Sequence, residues 1–168
     1  MNEARATMSE SFAIRRWSDA CSFDELHALL HRVFGALDID PPSGMLRETV
    51  NDLRRRARTQ TIFVATAVGA LIGHVCCEQR PDALYIGRLA VDAGWRRRGV
   101  ARALMDAARG EAMARGCPQL RLGCRIALAD NVAFFRRLGF AIVGESTHPG
   151  YTAPTSFDMT RPTDDRPL

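Results

Sequence analysis

LAVDAGWRRRGVARALMDA, running from Leu89 to Ala107, is the stretch on which the fold turns. Leu89-Ala90-Val91 ends an apolar strand, Arg96-Arg97-Arg98-Gly99 is a cationic turn with a conformationally permissive glycine, and the apolar residues from Val100 onward recur at helical spacing. Such a junction gathers unpaired backbone N–H groups, the positive end of a helix dipole and guanidinium charge at one point. That combination suits a polyphosphate, so the stretch predicts an enzyme with a phosphorylated cofactor.

Outward from this junction the pattern is β-α-α-β-β-β-α-β-α-β-β. Phe12–Trp17 alternates as a strand, and a helix over Phe23–Phe34 carries Leu26, Leu29, Leu30, Val33 and Phe34 behind a Ser22 cap. Pro41 and Pro42 end that region, and a second helix is expected from Ser43 to Ala57, with Leu46, Val50, Leu53 and Ala57 on one face. Thr61–Ala67 and Leu71–Gln79, joined through Val68-Gly69-Ala70, read as an antiparallel hairpin. A strand over Ala83–Val91 leads into the turn, and the helix over Gly99–Ala114 has Leu104, Ala108 and Met113 as inward candidates and Gly116 as its stop. Strand 120–126, helix 131–138 and strands 140–144 and 155–160 complete the chain. The order implies an α/β fold of three layers, one domain over 1–168, with 1–10 and 162–168 as frayed tails.

Composition narrows the classes. A chain of 168 residues, 46% hydrophobic and 25% charged, is that of one soluble globular unit. The +4 balance suits an anionic ligand, and equally a nucleic acid. Cys21, Cys76, Cys77, Cys117 and Cys124 show no CxxC spacing, so neither structural zinc nor any other metal is expected, and Cys76 and Cys77 should point to opposite faces of a strand. Unpaired thiols and the lack of a secretory segment or an 18-residue apolar run point to the cytoplasm, with no membrane partner.

Arg96-Arg97-Arg98-Gly99-Val100-Ala101 matches Arg/Gln-x-x-Gly-x-Gly/Ala at every specified position, after LAV and ahead of Asn131 with FFRRLGF at Phe134–Phe140. On these residues the chain resembles the GNAT superfamily of acyl-CoA-dependent N-acyltransferases. The resemblance implies a three-layer α/β/α fold with a central mixed, mostly antiparallel sheet, and acetyl-CoA as co-substrate. It assigns Leu89, Ala90 and Val91 to the pantetheine arm and Arg96, Arg97, Arg98, Gly99, Val100 and Ala101 to the phosphates. Asn131, Phe134 and Phe135 fall on the cofactor side near the thiol.

Two family positions are altered. Gly87 and Arg88 stand where a base is often found, and Phe135 stands where a tyrosine often donates to the leaving thiolate. Tyr151 is the first substitute donor and Tyr85 the second. His74 and Glu78, four apart on one strand, share a face and are the candidates for base work through water, against a competing reading as a packed histidine and a surface charge. His148 reads as an exposed loop residue. Cys124 could form an acyl-enzyme, but a buried apolar thiol is the better reading.

By the same resemblance the acceptor slot is lined by DIDPPSGM (38–45) and STHPGYTAP (146–154). Asp38, Asp40 and Glu48 would meet a cation, and Leu37, Ile39, Met45 and Tyr151 an apolar portion. The expected reaction is direct attack by a primary amine of a small molecule or peptide, the carbonyl polarised by a backbone N–H near Val91. A non-catalytic acyl-CoA-binding regulatory module is the alternative. Nucleic-acid binding rests on the net charge and on Arg54, Arg55, Arg56 and Arg58, a cluster without interleaved aromatics, and is not expected. A homodimer is the ordinary prior for assembly.

Overall fold

The computed structural model describes residues 11–18, 20–164 and 168. In chain order they form β1 (Ala13–Arg16), α1 (Phe23–Gly35), a 3₁₀ turn (Gly44–Arg47), α2 (Val50–Ala57), β2 (Thr61–Ala67), β3 (Ala70–Gln79) and β4 (Leu84–Val91). A second 3₁₀ turn (Ala93–Trp95), α3 (Val100–Ala114), β5 (Gln119–Arg125), α4 (Ala129–Arg137), β6 (Ala141–Ser146) and β7 (Ser156–Pro162) follow. The strands make one sheet in the order β1-β2-β3-β4-β5-β7-β6, antiparallel except where β4 lies beside β5. This is the mixed, mostly antiparallel sheet the resemblance implies.

Alternation along the strands sorts side chains between two helical layers. Ala65, Val75, Cys77, Leu84 and Ile86 pack with Leu104, Met105 and Ala108 of α3 and with Phe135 of α4. Ile62, Val64 and Cys76 lie on the other face, where Leu26, Leu29 and Leu30 of α1 cover Ala90. Cys76 and Cys77 thus point to opposite faces, as their adjacency requires. Gly73 lets α3 lie close to the sheet, because a Cβ there would stand 3.0 Å from Leu104 Cδ1 and 3.1 Å from Val100 Cγ1. Among the described residues no helix is long and apolar enough to cross a membrane.

Three expectations are corrected. The helix over Ser43–Ala57 is two pieces, because Thr49 takes an extended backbone and caps α2. Its hydroxyl accepts from Asp52 N–H at 3.3 Å, and the Asp52 carboxylate accepts from Thr49 N–H at 2.7 Å. In consequence Met45, not Leu46, is the buried residue of the first piece. Met113 is 43% exposed, and Glu111 occupies an inward position of α3 instead, held by Arg16, Thr61 and Arg115. Leu168 is not frayed: it is buried, its N–H donates to Asp106 Oδ1 at 3.3 Å and its carbonyl accepts from Arg102. The rest of the predicted frays at 1–10 and 165–167 lies outside the described residues.

Candidate functional site

The sheet opens between β4 and β5. They pair only at Leu84–Leu120, Tyr85–Arg121 and Ile86–Leu122, after which β4 stays with β3 as far as Val91 and β5 stays with β7 as far as Arg125. The inner edge from Gly87 to Val91 therefore presents main-chain groups to a cleft with no strand across it. A ligand arm lying there can complete the ladder.

Next to the cleft β4 carries a bulge. His74 pairs with Ala90 and Cys76 with Gly87, so Arg88 and Leu89 together stand opposite Val75. Arg88 takes φ +52, a left-handed conformation unusual for an arginine. Its carbonyl accepts from His74 Nδ1 at 2.9 Å, which places the imidazole proton on that nitrogen. His74 is 2% exposed, and burial pushes its pKa down to about 4, against the raising effect of the Arg88 carbonyl, so the ring is neutral near pH 7. At its other end the Arg88 guanidinium meets the Glu48 carboxylate, which Arg56 Nη2 also holds, at 2.6 Å. The Glu48 carbonyl accepts from His27 Nε2 at 2.9 Å and His31 Nε2 at 3.3 Å. The bulge is thereby tied to β3, α2 and α1 at once.

Beyond Val91 the chain enters the Arg/Gly turn. Asp92 caps the 3₁₀ turn by accepting from Gly94 N–H at 3.3 Å, and its carboxyl is held below the ordinary range chiefly by the Arg32 guanidinium of α1. Arg97 has φ +60 and Gly99 φ +83, and a Cβ on Gly99 would have no atom within 4 Å. Glycine is required there by conformation rather than by space. Gly99 offers no side-chain cap, so the first N–H groups of α3, from Val100 to Arg102, point out of the helix end without a side-chain acceptor. Arg98 lies over the Trp95 ring at 4.9 Å, and Arg96 Nε donates to the Val91 carbonyl at 3.4 Å.

The remaining expected residues divide. Asn131 is exposed and Phe134 half-buried on α4, while Phe135 is 8% exposed and packs edge-on to Phe140 at 5.9 Å, a core residue first. Tyr151 donates to Asp40 Oδ1 at 2.5 Å, and that hydrogen bond raises its pKa. The phenol joins the β6–β7 loop to the loop after α1 and is directed at Asp40. Tyr85 borders the cleft, its hydroxyl 3.2 Å from where a Cβ on Gly123 would stand, at the first β5 residue past the last pairing. Glu78 pairs in register with Tyr85, and Arg80 stands between them, 3.5 Å from the carboxylate and 3.7 Å from the Tyr85 ring centroid.

His74 and Glu78 do share a face, as expected, but they do not act at one point: His74 is enclosed at the bulge and Glu78 is about half exposed toward the other end of β3. Glu48 is not an unpaired anion for an acceptor, since Arg56 and Arg88 neutralise it, and Met45 is core. His148 secures its loop through Thr155. Cys124 is 4% exposed and burial pushes its thiol up to about 11, which leaves it protonated and a poor nucleophile. Among the described residues no three His, Cys, Asp or Glu side chains could hold a metal ion together. Sequence reasoning misses the Glu48–Arg88 pair, although an arginine inside the apolar strand LYIGRLAV is a signal that a counter-charge must exist.

Comparison with known proteins bears on this geometry. The model of the acetyltransferase (GNAT) family matches residues 23–140. No curated protein matches the chain. The fold is shared with the ribosomal-protein-S18-alanine N-acetyltransferase from Escherichia coli, at 19% identity over 93% of this chain and 96% of that one, TM-score 0.74. Ard1 from Thermoplasma volcanium is similar at 22% identity over 90% and 97%, TM-score 0.69. An aminoglycoside 6'-N-acetyltransferase complexed with coenzyme A is similar at 17% identity over 93% and 99%, TM-score 0.71. With a family match covering most of its length and the split sheet and Arg/Gly turn in place, the chain belongs to the GNAT family of acetyltransferases.

Proposed function

We propose that this protein transfers the acetyl group of acetyl-CoA to a primary amine of a small molecule or peptide by direct attack. The observation that carries the reading is the cleft between β4 and β5, whose open edge Gly87–Val91 runs into the uncapped start of α3. The pantetheine amides would extend the ladder at Leu89, Ala90 and Val91. The pyrophosphate would take the N–H groups of Val100 and Ala101 at the Gly99 turn, with Arg96, Arg97 and Arg98 as screened counter-charge. Asn131 and Phe134 would border the thiol end, with Phe135 behind them.

The amine nitrogen bonds to the thioester carbon as the carbon–sulfur bond breaks. An N–H near the Arg88 bulge polarises the carbonyl, and the fixed bulge means that this donor needs no reorganisation. Water relays the amine proton to Glu78, and Tyr85 protonates the thiolate in place of the family tyrosine. His74 positions the bulge, and the Tyr151–Asp40 pair holds the acceptor end closed. The buried, protonated Cys124 favours this direct route over an acyl-enzyme. The five free cysteines fit a reducing cytoplasm.

The test is to incubate the protein with acetyl-CoA and a panel of small amines and peptides, following thiol release and acceptor mass. Acetylated amine with stoichiometric CoA is expected. Tight CoA binding with no thiol release across the panel would overturn the enzymatic reading in favour of a regulatory acyl-CoA module.

A further inference from the structure

Two of the chain's four histidines, His27 and His31, fall about one helical turn apart in the segment HALLH of α1. Residues four apart on a helix stand one above the other on the same face, the spacing by which a helix offers two imidazoles to one metal ion. The lack of CxxC spacing, which argues against a cysteine zinc site, does not bear on this pair.

The fold brings a third donor to them. Because α2 begins only after Thr49, the Glu48 carbonyl lies outside its ladder. Among the described residues that carbonyl accepts from His27 Nε2 at 2.9 Å and His31 Nε2 at 3.3 Å and from nothing else. The two ring centroids are 4.0 Å apart, with 34° between the ring planes. Two ligand atoms held about 2.1 Å from one ion stand roughly 3.0 Å apart at right angles and roughly 3.4 Å apart in a tetrahedron. The two N···O distances correspond to these edges, so both Nε2 atoms are spaced from the Glu48 oxygen as adjacent ligands of one ion would be.

The donors select the ion. The Glu48 carboxylate is taken by Arg56 and Arg88, and among the described residues no cluster of three His, Cys, Asp or Glu side chains is placed to hold a metal. Two neutral imidazoles and an amide oxygen suit nickel, copper or zinc, whereas magnesium and calcium favour carboxylates. Both rings are half-buried rather than enclosed, which leaves further coordination positions to water.

We propose that His27, His31 and the Glu48 carbonyl form a binding site for a divalent transition-metal ion of the nickel, copper and zinc class. A neutral ring frees Nε2 by carrying its proton on Nδ1, so each nitrogen turns from donor to ligand and the ion takes over the carbonyl that the two N–H groups served. Glu48 holds Arg88 of the bulge by its side chain, and the ion secures the same residue from its main chain. The site is independent of acetyl transfer and of the acceptor.

The test is calorimetry on untagged, CoA-free protein with nickel, zinc and magnesium chlorides. Nickel is also added to ¹⁵N-labelled protein, where the paramagnetic ion broadens the amide signals closest to it. One-to-one binding of nickel and zinc is expected, with magnesium at least 100-fold weaker. Broadening should centre on residues 27–31 and 48–49. His27→Gln and His31→Gln should each weaken nickel at least tenfold and abolish the rise in melting temperature that nickel gives the parent, while His148→Gln should change neither. No saturable nickel binding, or broadening centred on Cys21 or His148, overturns the site. Magnesium binding as tight as nickel overturns the donor class, and unchanged nickel affinity in either helix variant overturns the pair.

Discussion

The two sides of the cleft between β4 and β5 are built of different materials. On the side of α3 the groups offered are peptide N–H and C=O: the unpaired edge of β4 and the first turn of a helix that begins on Gly99. On the side of α1 and α2 they are side chains drawn from distant segments: Glu48 to Arg88 across 40 residues, and Asp40 to Tyr151 across 111. A backbone-built surface depends on conformation, so it should yield to few substitutions and yield completely at those. A side-chain network should fail by degrees, one tie at a time.

The largest effect is expected on the backbone side. Gly99→Glu forces a side chain into φ +83 and sets a carboxylate at the proposed phosphate site, and acetyl-CoA affinity should fall at least 100-fold by calorimetry while the circular dichroism spectrum is retained. Gly99→Ala, which carries only the strain of about 1–2 kcal/mol, should lose roughly tenfold. Equal, mild losses in both variants would break the contrast.

On the side-chain side, His74→Leu removes the donor that satisfies the Arg88 carbonyl. An unmet buried carbonyl costs about 1–3 kcal/mol, and turnover should drop about 10- to 100-fold with a smaller change in KM for acetyl-CoA. The same residue governs acid stability. Because His74 binds its proton less readily folded than unfolded, with a pKa of about 4 against an ordinary 6.5, its contribution is complete above pH 6.5 and is lost as pH falls toward 4. The loss is about 3 kcal/mol across that window. Urea midpoints should show the decline in the parent and a shallower one in His74→Leu, with Asp52, Asp92 and Glu111, whose carboxyls are also lowered, contributing to what remains at more acid pH.

The smallest effect is assigned to Tyr151→Phe, which cuts one tie between two exposed loops. The KM for the acceptor should rise a few-fold while turnover holds. If turnover instead fell by two orders of magnitude or more, Tyr151 would be the proton donor and Tyr85 would lose that role.

The same contrast explains which parts of the molecule a linear sequence can reveal. The turn, the α3 start and the seven strands follow local rules of glycine placement and periodicity, so the strand–turn–helix of Leu89–Ala107, the proposed donor side, is legible directly. The split of the Ser43–Ala57 helix is legible in principle, since Thr49 and Asp52 have capping-box spacing, but the stronger Leu46, Val50, Leu53 periodicity masks it. The Arg88 bulge is not legible, because it arises from a register shift between β3 and β4 that no local pattern encodes. Glu48 and Arg88 become one unit only after the sheet brings α2 over β4. Tyr151 stands out as a hydroxyl, yet its partner Asp40 comes from a segment 111 residues away.

Amide hydrogen exchange, measured with and without acetyl-CoA, tests the central claim most directly. If the donor lies along the backbone of the cleft, protection on binding should rise at Leu89–Val91 and Val100–Arg102 and leave the Tyr151 loop little changed. Protection confined to the α1, α2 and Tyr151 side, with Leu89–Val91 and the α3 start unchanged, would contradict it.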